Sequence, residues 1–418
     1  MSGYLLLVIL ISLSAAFSYI NHRFIKMPFV IGLFFLSSIL SLFVLSGKLW
    51  NVHQYSEIKN IIEHTDISKL ILNIMLGFLL FAGSLDVKWK DIKIQIWPIT
   101  IYAIGGVILS TVIIAGLFYG ICNLFGLSVG FIYCLLFGAL ISPTDPISVL
   151  GILTKANVPK KIESVIVGES LFNDGIAVVV FITLLETLKL GSNKIDFLDF
   201  GVLFLQEAVG GIIFGFALGY LLYIFLKSID DYETEVLLTI AFVMVGYLLC
   251  SYLNISGASA MVIMGLFVGN YKLNKAMSNT TLDYVYKFWK LLDVILNAIL
   301  FISIAFVLLV IDFKTKYIII GLSSIIMVLV SRIVIVYLPK LILPRFTNIN
   351  NKEAKLIVWG GLRGGLSIAL VLSLPDSECR QILMIATYIC VVFSILVQGL
   401  TIEKVAKRLS IREQLSNK

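Results

Sequence analysis

The sequence predicts an all-α polytopic membrane protein, and three observations carry that prediction. Hydrophobic residues make up 59% of the 418 residues and charged residues only 14%, where a soluble domain carries about 25% charge. The apolar residues fall in runs of roughly 18–25, the length a helix needs to cross a hydrocarbon core of about 30 Å. Lys and Arg are strongly unequal between alternate loops. The mean hydropathy of +1.02 agrees with this reading.

Thirteen spans are predicted, at 2–20, 27–46, 70–87, 97–121, 128–153, 162–188, 200–226, 235–253, 257–271, 285–311, 317–338, 355–374 and 380–402. The first is not read as a signal peptide, because no positive charge leads it and Arg23 and Lys26 follow it. That pattern places the N-terminus outside. Cytoplasmic loops then carry 22 Lys and Arg, against 8 in the outer loops. This asymmetry sets the orientation as N-terminus out and C-terminus in. The net charge of +7 has the same origin, so nucleic acid is not an expected partner. No separate soluble domain and no nucleotide-binding motif is visible. The five cysteines, Cys122, Cys134, Cys250, Cys379 and Cys390, lack zinc-ligand spacing and read as small packing residues.

A charge inside a span is costly and marks a functional site by default. Seven qualify: Asp145, Glu169, Asp174, Glu207, Asp293, Arg332 and Arg363. Asp86 and Glu186 lie near span ends and read as interfacial. In the fifth span, Ile141-Ser142-Pro143-Thr144-Asp145-Pro146 holds two prolines three residues apart. Each removes a backbone donor and clashes one turn back. Asp145-Pro146 also reads as an N-cap followed by proline at the first helical position. The span should therefore unwind near 143–145 and restart as a second half-helix. A simple proline kink is the competing reading, and a kink needs no carboxylate.

The sixth span carries Gly168-Glu169-Ser170-Leu171-Phe172-Asn173-Asp174-Gly175, a polar island in an apolar helix. Ser170 and Asp174 are i, i+4 on one face, and Glu169 and Asn173 are i, i+4 on the adjoining face. Ser and Asn alone could serve as helix–helix glue, but that leaves two carboxylates unexplained. Asp174, Ser170 and Thr144, with carbonyls freed at the break, form an oxygen-rich set suited to a hard cation such as Na⁺. A carboxylate taken out of water holds its proton more firmly. One group can then carry either a proton or a metal cation, and competition between them is the simplest route to exchange. Glu169 needs a cationic partner, and Arg332 and Arg363 are available; position favours Arg332. Such a pair organises a core more than it stabilises it.

The twelfth span contains Gly360-Gly361-Leu362-Arg363-Gly364-Gly365. Four glycines around a buried arginine weaken the helix and permit close backbone approach. Interrupted spans in both halves of a chain point to an inverted-repeat transporter with its site at the midplane. Gly211, Gly215 and Gly219 form a small-residue ridge that suits a packing seam or a dimer face equally.

The strings PTDP at 143–146, GESLFNDG at 168–175, FWKLLDVILNAILF at 288–301 and GLRGGLSIALVLSLP at 361–375 resemble the bacterial NhaP-type Na⁺/H⁺ antiporters. These belong to the cation:proton antiporter 1 family, which includes the animal sodium/proton exchangers. The resemblance covers nearly the whole chain. It implies thirteen helices, a homodimer in the bacterial inner membrane, and no soluble regulatory domain. It implies a mobile core including 70–188 and 285–402, and a stationary dimerisation domain including 1–46 and 200–271. No cofactor is expected beyond the transported Na⁺ and H⁺, and membrane lipids are the surroundings. By the same resemblance Asp174 binds the cation and the proton, Asn173 precedes it as the family's Asn-Asp pair, and Ser170 and Thr144 assist. Glu169 pairs with Arg332, Asp145 sits beside the helix crossing, and Arg363 is the arginine of the second interrupted helix. The pattern departs at Phe81-Ala82-Gly83, where many relatives carry Phe-Glu-Gly, so that glutamate's role does not carry over.

Two other classes fit less well. A cation channel needs a continuous polar pathway, whereas the polar residues here form one isolated island. An enzyme needs catalytic groups near an interface. His22, His53 and His64 lie in loops, and Glu63-His64-Thr65-Asp66 lacks the two-histidine helical spacing of a zinc hydrolase. Li⁺ or K⁺ in place of Na⁺, and so a K⁺/H⁺ antiporter, remain alternatives within the transporter class. The orientation has a direct check. In a cysteine-free background, Ser2→Cys should react with an impermeant thiol reagent from outside, and Leu415→Cys only after the membrane is opened; labelling of both from one side contradicts it.

Overall fold

The computed structural model describes residues 2–49, 67–145, 153, 158–189, 197–272, 278–309, 311 and 314–409. Helix dominates them. In order, the principal helices are α1 (Ser2–Ile20), α2 (Phe29–Leu49), α3 (Leu70–Leu85), α4 (Ile96–Leu124), α5 (Phe131–Ile141), α6 (Lys160–Lys189) and α7 (Phe197–Lys227). Then come α8 (Tyr232–Tyr252), α9 (Gly257–Asn270), α10 (Asn279–Val307), α11 (Thr315–Ile342), α12 (Asn351–Trp359), α13 (Gly365–Leu372) and α14 (Glu378–Arg408). Among the described residues, nine helices are long and apolar enough to cross a membrane, and α3, α5 and α9 are shorter apolar helices. Helix is present in each predicted span. The half-helix expected after Pro146, the polar stretch 50–66 and the tail beyond 409 lie outside the described residues.

Local chemistry sets several helix starts. The Asp231 side chain accepts from the Thr234 backbone at 3.1 Å and caps α8. These Thr234 hydrogen bonds, with the hydroxyl foremost, hold the Asp231 carboxyl below its usual range. Ser278 caps α10 and Ser256 caps α9. Asn350 and Glu353 form a reciprocal capping box at the start of α12.

Packing brings α3 between α9 and α10, and α5 against α4 and α6. Trp289 of α10 lies 4.6 Å from the Phe81 ring and 5.8 Å from Phe78, both on α3, and its indole N–H donates to Thr239 of α8 at 3.0 Å. One buried aromatic thus ties three helices together and satisfies its own polar atom. The glycine ridge of α7 packs within the chain: a Cβ at Gly211, Gly215 or Gly219 would meet Ser256, Ala260 or Phe267, all at α9 or its cap. The outward face of α7 remains apolar and exposed at Val202, Leu205, Val209, Ile213 and Phe216.

Two helices are broken within the apolar layer. After α5 the backbone leaves helical geometry beyond Ser142, at residues 143–145, and between α12 and α13 residues 360–364 lie outside helix. A Cβ at Gly364 would lie 2.8 Å from the Cβ of Asp145, so the two breaks touch. Gly364→Ala should therefore lower stability in detergent by about 1–3 kcal/mol, as overpacking does. Gly120→Ala, within α4 and where a Cβ meets nothing within 4 Å, should leave it unchanged or raise it by up to about 1 kcal/mol. Thermal unfolding of the two variants checks this, and equal effects contradict the close crossing.

Candidate functional site

Unwound backbone in an apolar layer needs internal partners for its N–H and C=O groups. Here the two breaks supply them to each other. The Asp145 N–H donates to the Leu362 carbonyl at 2.7 Å. The Arg363 guanidinium donates to the carbonyls of Ser142 and Pro143, the latter at 3.0 Å. The Arg363 N–H donates to the Ser394 hydroxyl at 2.7 Å, which bonds Gln398 at 2.9 Å. Gln398 in turn donates to the last carbonyl of α12, Trp359, at 3.2 Å. Arg363 is 1% exposed, and it draws the first break onto the second.

The polar island of α6 lies beside this crossing. The Thr144 and Ser170 hydroxyls are 2.8 Å apart. The Asn173 amide donates to the Thr144 hydroxyl at 2.9 Å, and its oxygen accepts from the Thr144 N–H at 3.3 Å. Asn173 and Ser170 therefore clamp the unwound residue 144 from both sides. Neither lines the adjoining cavity; Thr144, Asp145 and Asp174 do. That cavity has a volume of about 90 Å³, and a water needs roughly 10–15 Å³ of such space, so it has room for a small ion and several waters. Its remaining walls are mainly apolar, from α3, α6, α10 and α13.

Glu169 and Arg332 form a two-pronged ion pair. Arg332 Nη1 contacts Glu169 Oε1, and Nη2 donates to Oε2 at 2.9 Å. The same Nη2 donates to the Ile357 carbonyl of α12 at 3.2 Å. Glu169 is 1% and Arg332 3% exposed. The pair links α6, α11 and α12 behind the cavity, and Glu169 does not line it.

Four residues at the site escaped the sequence reading. Ser394 and Gln398 satisfy the second break from α14, where a π turn spans Ser394–Gln398. Asn297 and Ser367 line the cavity itself. Asp293 and Asn297 fall at i, i+4 within the quoted string of α10, and that spacing was the available signal. A second cavity, of about 660 Å³, lies among α3, α6, α7, α8 and α9 and is lined by Glu186, Glu207 and Asn254. Leu76 borders both cavities.

The family model for the transmembrane sodium/hydrogen exchanger matches residues 10–408. The chain belongs to the sodium/hydrogen exchanger family. It is 44% identical over 405 residues to the Na⁺/H⁺ antiporter NhaP of Pseudomonas aeruginosa, covering 96% of this chain and 95% of that one. It is 36% identical over 348 residues to the Na⁺/H⁺ antiporter NhaH of Halobacillus dabanensis, with 82% and 83% covered. The sodium proton antiporter MjNhaP1 of Methanocaldococcus jannaschii shares the fold, with a TM-score of 0.77 at 20% identity over 98% of this chain and 99% of that one. The broken helices and their crossing are thus set in the fold of an antiporter.

The buried ion pair generates a prediction. Glu169→Gln leaves the Arg332 charge buried without its counter-charge, which costs about 3–5 kcal/mol. The variant should lose thermal stability in detergent yet keep its apparent cation affinity once folded. A stable Glu169→Gln protein that no longer binds cation would make Glu169 a ligand instead.

Proposed function

We propose that this chain exchanges Na⁺ for H⁺ across the cell membrane, one for one, with both ions competing for the Asp174 carboxylate. The observation that carries this reading is the shared cavity. A carboxylate, a threonine from an unwound helix and the crossing of two broken helices meet in one small space within the apolar layer. The names of the relatives, Na⁺/H⁺ antiporters with the same span of sequence, support the choice of ions.

The stoichiometry follows from a charge count. Asn173, before the aspartate, cannot titrate, and Glu169 is neutralised by Arg332. With Asp145 taken as balanced by Arg363 at the crossing, one carboxylate remains to cycle between a protonated and a Na⁺-loaded form. Both forms are neutral at the site, so the membrane potential does no net work. The bare carboxylate is the form that cannot cross, because an uncompensated charge in hydrocarbon costs several kcal/mol. Coupling then needs no separate gate.

Thr144 supplies an oxygen to the cation, and Ser170 and Asn173 assist by holding Thr144 in place. Asp145 and Arg363 keep the crossing, with Arg363 offsetting negative charge beside the site. The larger cavity bordered by Glu186 and Glu207 is the approach from the outer side, separated from Asp174 at Leu76. In the working form the chain is a homodimer in the inner membrane with thirteen crossings, N-terminus out and C-terminus in. The core that carries the breaks alternates access against a fixed α1–α2 and α7–α9 frame. The exchange serves control of internal pH and Na⁺.

Exchange in proteoliposomes tests the proposal. Asp174→Asn should fold and be inactive. In the native chain the half-saturating Na⁺ should rise as pH falls, because protonation removes the Na⁺ site. Exchange that generates or follows a membrane voltage, or a working Asp174→Asn, contradicts it.

A further inference from the structure

Thr144 and Asp174 account for one part of the cavity surface. The part built by α10 and α13 carries two polar side chains with no role in the reading above: Asn297 and Ser367. The Ser367 hydroxyl is buried and has no hydrogen-bond partner among the described residues. An unpartnered buried hydroxyl is a free-energy penalty unless something in the cavity bonds it.

The Asn297 side chain is 3% exposed, and its orientation is decided by what it touches. Its amide nitrogen donates to the Asp293 carbonyl at 2.8 Å and to Asp293 Oδ1 at 3.0 Å. A backbone carbonyl only accepts, so the nitrogen must lie on that side. The amide oxygen is left to the other side. Asp293 is half-buried, within the apolar stretch of α10. Among the described residues no Lys or Arg pairs with it; the charges it feels are those of Asp145 across the breaks and Asp86 at the end of α3. Asp86 itself feels Lys290 of α10. A lone carboxylate one turn from the cavity, engaged by a side chain that lines it, has a use if it fixes that side chain.

We propose that the transported cation takes two further oxygens from this wall, Asn297 Oδ1 and Ser367 Oγ, and that Asp293 is the positioning residue that turns the Asn297 amide oxygen into the cavity. The site is then closed from both halves of the chain. The first half gives Asp174 and Thr144, and the second gives Asn297 and Ser367. A monovalent hard cation gains neutral oxygens without a second charge, which keeps the loaded site neutral. This inference rests on cation binding at Asp174.

The test is Na⁺/H⁺ exchange in proteoliposomes at a series of fixed pH values, reading half-saturating Na⁺ and maximal rate separately at each. The variants are Asn297→Ala, Ser367→Ala, Asp293→Asn and the double variant Asp293→Asn with Asn297→Ala, each with its unfolding temperature. Asn297→Ala should raise the half-saturating Na⁺ about tenfold, the smaller end of what losing a shell of metal contacts costs, with a nearly unchanged maximal rate. Ser367→Ala should raise it in the same sense, and it keeps the test open if Asn297→Ala does not fold, because it removes one atom only. Asp293→Asn keeps an acceptor but replaces a charge-assisted bond with a neutral one, so it should raise half-saturating Na⁺ by a smaller factor, and should add nothing once Asn297 is alanine, since its effect passes through that amide. Unchanged half-saturation in both Asn297→Ala and Ser367→Ala overturns the proposal. So does an Asp293→Asn effect that persists in full in the double variant, or that moves only the pH profile, since Asp293 then acts as a proton carrier. A dead Asp174→Asn beside unaffected Asn297 and Ser367 variants refutes this inference alone; a working Asp174→Asn refutes the reading beneath it.

Discussion

An apolar layer offers no water to a broken helix, and that constraint shapes everything near the middle of this protein. One helix stops just before Pro143 and another is interrupted at the glycine-rich residues 360–364, and each interruption strands N–H and C=O groups. Neither break is tolerable alone. Placed together, the Asp145 N–H reaches the Leu362 carbonyl and Arg363 reaches the carbonyls of Ser142 and Pro143. The close approach of Gly364 to Asp145 is the geometric condition for those bonds. The crossing is therefore both the weak point of the helical packing and the place where oxygen atoms become available to an ion.

Charge in this interior is divided between framework and site. Glu169 and Arg332 cancel one another and are tied to the end of α12 through the Ile357 carbonyl. Removing either partner would leave a bare charge, so the pair is held by the cost of its loss more than by its net worth. Arg363 serves the unwound carbonyls. What remains at the cavity surface is Asp174 and Asp145, and of these Asp145 is engaged by its backbone in the crossing. The carboxylate best placed to exchange its partner is the one outside both networks.

The clamp on Thr144 connects these parts. Ser170 and Asn173 hold its hydroxyl and backbone N–H, so the polar face of α6 fixes the unwound strand beside Asp174, one residue further along the same helix. Movement of α6 relative to the break would disturb the clamp and the cavity together. This gives a physical link between the proposed motion of the core and the proposed cation site. The link runs through contacts of ordinary hydrogen-bond length and needs no long-range pathway.

Much of this was legible in the residues. Spans, because bilayer thickness imposes a length on apolar runs, and breaks, because proline and glycine act on their own backbone, are local properties. Buried charges announce themselves by their cost, which is why Asp145, Glu169, Asp174, Arg332 and Arg363 stood out. Which charges meet was not local. The choice between Arg332 and Arg363 as partner of Glu169 depended on how α6, α11 and α12 pack, and position could only favour one. The glycine ridge at 211, 215 and 219 turned out to face α9, a matter of helix rotation that spacing leaves open. Asn297, Ser367, Ser394 and Gln398 are uncharged and drew no notice in an apolar helix, because a neutral polar side chain costs less there than a charge and serves equally as a bond between helices. Only the folded chain, by bringing them beside a cavity or an unwound carbonyl, gave them something to bind. The sequence by itself determined a membrane antiporter scaffold, two spans interrupted by proline or glycine, and a carboxylate within an apolar span. The tertiary structure decided which oxygens line the cavity beside that carboxylate, because they come from separate helices, some of them more than a hundred positions away in the chain.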